Sequence, residues 1–261
     1  MSGILDQILA HKRREVAQVK QKVSLATLQK QVERLSPPRD FTRAVRRESA
    51  MPKAIAEIKR ASPSAGVIRE NVDPIDVATQ YASAGAAAIS VLTDEYFFGG
   101  SLKDLQAVRQ HVSVPLLRKD FVLDTYQIWE ARVHGADAVL LIAAALSDSE
   151  LKIFLAEAAQ LQLSALVEVH NQEEANRAVA CGGYLIGVNH RNLQTFEMDM
   201  DLFAKLKPLF PKGTVLVAES GIRTKEDLKR LAQAGADAVL LGEGLMKQPF
   251  PGQALRAWLC P

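Results

Sequence analysis

Eight times along this chain a continuous apolar run of strand length is followed by a stretch with helical periodicity. The runs are Ala54–Lys59, Ala86–Thr93, Val114–Lys119, Asp137–Ala143, Leu163–Val169, Tyr184–Asn189, Thr214–Ser220 and Asp237–Gly242. Unbroken apolar runs are what strands covered on both faces look like, the condition of a parallel sheet. Helix-start signals fall between them. Asp73-Pro74 reads as a cap with proline in the first turn, and DTYQ (Asp124–Gln127), SDSE (Ser147–Glu150) and NQEE (Asn171–Glu174) read as capping boxes. Strand and helix therefore alternate over short connections, and the pattern predicts an α/β fold, a single (β/α)8 TIM barrel.

A repeated word supports this. GADAVLL fills Gly135–Leu141 and again Gly235–Leu241, and a weaker copy, GAAAISVL, starts at Gly85. In each full copy the glycine is placed to end a helix in the left-handed conformation. The apolar residues after it open the fourth and eighth strands, half a barrel apart. The repeat is read as structural, so function is expected at the opposite, carboxyl ends of the strands.

The chain of 261 residues is 48% hydrophobic. That suffices for one large core, and a single barrel domain over 1–261 is expected, with 1–50 as a helical extension. Ile4, Ile8, Leu9, Val16 and Val19 recur at helical spacing, and a second helix is expected from Leu25 to Leu35, before Pro37-Pro38. The extension could plug the barrel bottom, cover its top or mediate association. Net charge is +2, and the short basic clusters HKRR and RAVRR read as solvated helix faces, so no nucleic-acid partner is expected. Two unpaired cysteines, Cys181 and Cys260, fit a reducing compartment. The N-terminal residues lack the order of a signal peptide, and the longest apolar run, Ala138–Leu146, is too short to cross a bilayer. A cytoplasmic protein with no membrane partner is expected.

The strand ends are strongly polar. Glu57 and Lys59 end the first strand and, by alternation, face the same way. Arg118-Lys119-Asp120-Phe121 ends the third, Glu168 the fifth and Asn189 the sixth. Glu219-Ser220-Gly221 ends the seventh and Gly242-Glu243-Gly244 the eighth. Lysines and glutamates would meet in one cavity, where a buried charge needs a partner. A lysine among carboxylates stays protonated and can act as a general acid, with glutamate as base. A Schiff-base lysine would favour a pocket without carboxylates. The glycine turns after the last two strands fit phosphate binding by backbone N–H groups, provided Glu243 turns its side chain away. His170 and His190 form no dense cluster that would hold a metal. His170-Asn171 reads as a helix entry.

As a set these strand ends resemble indole-3-glycerol phosphate synthase. The most specific pieces are IAEIKRASPSAG (Ile55–Gly66), LLRKDF (Leu116–Phe121), LVEVHN (Leu166–Asn171), GVNHRNL (Gly187–Leu193) and VAESGI (Val217–Ile222). The resemblance implies a carboxy-lyase of tryptophan biosynthesis that needs no cofactor or metal. Its substrate would be 1-(2-carboxyphenylamino)-1-deoxyribulose 5-phosphate, closed to indole-3-glycerol phosphate with loss of carbon dioxide and water. It implies Lys119 as general acid and Glu57 and Glu168 as acid/base residues. Lys59 would face the anthranilate carboxylate and assist proton transfer. Asn189 and Ser220 complete the catalytic set. Ser62, Arg191 and Glu219 would be substrate contacts, and Phe98 and Phe121 an apolar wall for the aromatic ring. Gly221, Gly242 and Glu243 would lie at the phosphate. Two rivals remain at this point, a Schiff-base aldolase on the same barrel and a non-catalytic barrel that binds a phosphorylated ligand. Other tryptophan-pathway enzymes remain open as partners.

Overall fold

The computed structural model describes residues 3–193 and 195–259. Eight parallel strands close into a barrel. They are β1 Lys53–Ile58, β2 Ala88–Leu92, β3 Leu116–Lys119, β4 Ala138–Ile142, β5 Ser164–Val169, β6 Leu185–Asn189, β7 Val215–Glu219 and β8 Ala238–Leu241. Each falls on one of the expected runs, with ends that differ by a residue or two. The barrel closes where β1 pairs with β8, Ala54 opposite Val239.

Alternation along the strands sorts the core into two clusters. Ile55, Leu117, Leu140, Leu166, Leu185, Val217 and Leu240 pack inside the barrel. Ala56, Ile89, Val139, Val167, Ile186 and Leu216 pack outward, under the helices. Continuing the inward parity by two residues along β1, β3, β5, β7 and β8, and by four along β6, reaches Glu57, Lys119, Glu168, Glu219, Gly242 and Asn189. The same pleat that buries the interior aims these positions into the barrel mouth.

The repeated word now has a structural basis. Gly135 and Gly235 have φ of 87° and 93°, the left-handed region open to glycine. The aspartate after each does equivalent work. Asp137 Oδ2 accepts from Leu116 N at 2.7 Å and Asp237 Oδ2 from Leu216 N at 3.0 Å. Their other oxygens accept from the N-terminal extension, Asp137 from Arg39 N at 2.7 Å and Asp237 from Arg47 N at 3.2 Å.

The extension reaches both ends of the barrel. Helix α1 (Ile4–Lys22) lies over the mouth, where Ile4, Leu5 and Ile8 line the cleft. Helix α2 (Leu25–Val32) packs outside, against the helix Thr125–Val133. It stops three residues before the expected Leu35, in a turn that leads into Pro37-Pro38, a pair that disfavours helix in the residue before it. Helix α3 (Phe41–Val45), absent from the sequence reading, plugs the bottom. Phe41 and Val45 are fully buried in the interior cluster, and Thr42 Oγ1 meets Ser164 Oγ at 2.9 Å.

Two sequence expectations need correction. HKRR is not wholly a solvated face, because Lys12 is completely buried. Of the three expected capping boxes only Ser147–Glu150 closes in both directions. Gln127 instead turns its amide back to Leu123 N and Phe121 O. Glu174 reaches past Asn171 N to His170 N, at 2.8 Å. Cys260 lies outside the described residues, none of whose helices is long and apolar enough to cross a membrane.

Candidate active site

A cleft of about 1200 Å³, including space open to solvent, occupies the carboxyl end of the barrel. Its wall contains every residue to which the resemblance gives a role: Glu57, Lys59, Ser62, Phe98, Lys119, Phe121, Glu168, Asn189, Arg191, Glu219, Ser220, Gly221, Gly242 and Glu243. Pro63, Ser64, Phe196 and Arg223, which the sequence reading did not select, also line it. They sit on loops after strands, where apolar periodicity gives no signal.

Three ion pairs, made by two lysines, dominate the floor. Lys59 Nζ lies 3.0 Å from Glu57 Oε1, and Ser90 Oγ donates to Glu57 Oε2 at 3.2 Å. Lys119 Nζ lies 3.0 Å from Glu168 Oε2 and 3.6 Å from Glu219 Oε2. Burial pushes the Lys119 ammonium toward neutrality, but Glu168, Glu219 and Glu57 outweigh it and its pKa is raised. One ammonium does not satisfy two buried carboxylates equally. Glu168 also accepts from Asn189 Nδ2 at 3.2 Å and faces His170 Nε2 at 3.1 Å. Burial opposes its charge, but Lys119 and His170 hold the carboxyl well below the usual range. Glu219 is pushed up to about 8, first by burial and then by the charge of Glu168. Its Oε1 is buried without a hydrogen-bond partner among the described residues and presses on Gly187, where a Cβ would collide with it. Of the two carboxyls, Glu168 is therefore biased toward the ionised form and Glu219 toward the protonated one.

The phosphate-side turns are tight. Ser220 and Gly221 have φ of 68° and 75°, and a left-handed serine is strained backbone of the kind that collects at functional sites. His190 Nδ1 lies 3.0 Å from Ser220 O. A Cβ on Gly221 would run into Met198 and Met200. At Gly242 a Cβ would come 2.6 Å from Glu57 Oε1, so that glycine makes room for a glutamate of the floor as well as for any ligand. Glu243 turns to Lys247 at 2.7 Å and Arg191 at 3.6 Å, which leaves its N–H as the group near the turn. Phe98 and Phe121 stand with ring centroids 6.0 Å apart on the apolar side.

Above them Lys12 descends from α1. Its Nζ lies 3.0 Å from Asp94 and Asp120 and 2.9 Å from Glu15. Asp120 also pairs with Arg118 at 3.1 Å and accepts from Thr93 Oγ1 at 2.7 Å. This buried network sits beside Lys119 in sequence and ties α1 to the ends of β2 and β3. A sequence signal existed for it. Lys12 falls in register with Leu5, Ile8, Leu9 and Val16 on the buried face of α1.

A family model for indole-3-glycerol phosphate synthase matches residues 5–258. The chain belongs to that family. An indole-3-glycerol phosphate synthase of Acidithiobacillus ferrooxidans is 48% identical over 258 residues, 98% of each chain. One from Chloroherpeton thalassium is 49% identical over 244 residues, 93% of this chain and 94% of the relative. Among solved structures, a thiamine phosphate pyrophosphorylase from Pyrococcus furiosus superposes with a TM-score of 0.62 at 14% identity, covering 84% of this chain and 96% of that one. At that identity the likeness shows the barrel alone. The family relatives span the N-terminal extension as well as the barrel.

Proposed function

We propose that the barrel mouth closes 1-(2-carboxyphenylamino)-1-deoxyribulose 5-phosphate to indole-3-glycerol phosphate, a carboxy-lyase step of tryptophan biosynthesis, with Lys119 as proton donor. Membership in the family supports the reaction. The observation that carries the assignment of roles is the Lys119 ammonium, held between Glu168 and Glu219 on the cleft floor.

In the first step the ring carbon bearing the carboxylate attacks the ribulose carbonyl. Negative charge develops on the carbonyl oxygen, and a preorganised cation there stabilises it. Lys119 supplies that charge and passes a proton to the oxygen, giving a hydroxyl. The C–C bond to the carboxylate then breaks, carbon dioxide leaves, and its electron pair restores the aromatic ring. In the second step the hydroxyl leaves as water with one added proton, while a proton is lost from the ring being formed. That step needs an acid and a base. Glu57 and the ionised Glu168 fit these roles, with Lys59 assisting beside the anthranilate carboxylate. Asn189 and Ser220 position the reacting groups. Ser62, Arg191 and Glu219 contact the polar parts of the substrate, and Phe98 and Phe121 flank its ring. The phosphate lies at Gly221, Gly242 and the N–H of Glu243.

A Schiff-base reading needs a neutral lysine, and the glutamates around Lys119 hold it charged. The test is product fluorescence from the synthetic substrate, with borohydride trapping in parallel. Indole-3-glycerol phosphate formation without trapped adduct is the expected result. A trapped keto-phosphate adduct with no product would replace this reading by the aldolase. The enzyme is placed in the cytoplasm on this reading, in line with the free thiol of Cys181.

A further inference from the structure

His170 is the next inward position after Glu168 at the end of β5, yet it does not line the cleft. Its ring is buried, with 4% of the side chain exposed, and lies between two carboxylates. Nε2 is 3.1 Å from Glu168 Oε1 and Nδ1 is 3.0 Å from Glu174 Oε2. An ionised carboxylate only accepts. With both ring nitrogens facing carboxylates, both must donate, and the ring is an imidazolium.

Glu174 is itself fixed. It stands in the first turn of the helix Gln172–Ala180 and accepts from His170 N at 2.8 Å and Asn171 Nδ2 at 2.6 Å. A chain of contacts thus runs from a helix N-terminus through an imidazolium to the floor of the cleft. At its far end Glu168 has a cation on each oxygen, His170 at Oε1 and Lys119 at Oε2. Glu219 shares only Lys119.

We propose that His170 is a positioning residue that decides which of the two carboxylates around Lys119 is ionised, making Glu168 the base and leaving the proton on Glu219. The proposal rests on the reading of Glu168 as an acid/base group. It differs from a strand-end salt bridge, because it assigns His170 a charge that the reaction depends on.

The groups that face this pair are few. Glu168 and Glu174 face His170. Lys119 and Glu219 face Glu168, with the neutral Asn189, and Glu57 acts on Lys119 from across the floor. Burial works against the imidazolium, but the bonds to Glu168 and Glu174 outweigh it and raise its pKa to about 9.

The experiment combines kinetics with a measurement that needs no turnover. In His170→Ala, Glu168 loses one cation and its pKa climbs. The acid limb of kcat/KM should then move up by about one to two pH units, the equivalent of one charge-assisted hydrogen bond. kcat near neutral pH should fall by about tenfold or more, with KM within about threefold, since His170 is outside the cleft. His170→Gln, which can still donate to Glu168 but carries no charge, should recover part of the loss. Glu174→Gln should move the limb in the same direction by less. A His170→Ala enzyme with the wild-type limb and kcat, or one changed in KM alone, overturns the proposal. Independently, ¹⁵N NMR of histidine-labelled wild-type protein should show His170 doubly protonated up to about pH 9. A ring titrating near 6.5 overturns the proposal whether or not the substrate is turned over. A wild type that makes no product while His170 stays doubly protonated instead sinks the reaction assigned above.

Discussion

Lys119 and Glu219 illustrate how neighbours, more than residue type, set the chemistry of a side chain. Both are buried at the end of a strand, and burial disfavours the charged form of each. Lys119 keeps its charge because Glu168 and Glu57 lie close to it, whereas burial and the charge of Glu168 push Glu219 toward its neutral form. Lys119→Met keeps most of the stem and removes the proton. kcat should fall by about 10²–10⁴-fold, with far less change in the binding of a non-reactive substrate analogue. Lys59→Met should alter both. Near-normal kcat in Lys119→Met would move the acid role elsewhere. Glu219 also gives a stability test. Its pKa is about 4.5 unfolded and about 8 folded, so between those values the folded state binds more protons. The stabilisation is full below pH 4.5 and is lost as pH rises through 8. Glu219→Gln mimics the protonated acid and cannot ionise. Thermal melts should show the variant gaining on the wild type from pH 6 to pH 9, and a constant difference would mean that Glu219 is ionised throughout.

The elements differ in how plainly the sequence announces them. The eight strands were legible because a strand buried on both faces has no polar interruption. The polar strand ends were legible for the complementary reason, since Glu57, Lys119 and Glu168 break apolar runs at the same relative place. Helix α3 was not legible. At five residues it is too short to show a period, and it is helical because Asp40 caps it and the barrel bottom receives Phe41 and Val45. Lys12 was misread because a cation within HKRR looks solvated until the helix is assigned its face. His170 was half legible: Asn171 does cap the following helix, but the ring's partners come from a pairing across the turn. Lys12→Met tests the element that carries it. Removing one partner from a buried ionic cluster costs about 3–5 kcal/mol when the others remain dry. Here α1 can lift instead and let water reach Asp94 and Asp120. The expected result is a smaller loss of stability than that, together with a raised KM and faster proteolysis within residues 3–22. An unchanged KM would make the network purely structural.

Across the whole molecule the two copies of GADAVLL act as matched clamps. Asp137 and Asp237 stand half a barrel apart, and each joins the strand before it to the bottom plug. Replacing either by alanine leaves amide groups unpaired, at about 1–3 kcal/mol each. With no shared partners the two losses should add in a double variant, as read from denaturant melts, while kcat stays at the wild-type value. A double variant no less stable than the worse single would show that one clamp already releases the plug. The plug itself carries a consequence for how the protein is made. Arg47 and its acceptor on Asp237 are 190 residues apart, and contacts of such separation form late. A ribosome delivers Arg47 190 residues ahead of Asp237. The growing chain must therefore carry Phe41 and Val45 uncovered while the barrel strands are made, a sticky surface of the kind that chaperones hold. For this enzyme the hazardous interval is translation itself, and it ends only when β8 has left the exit tunnel.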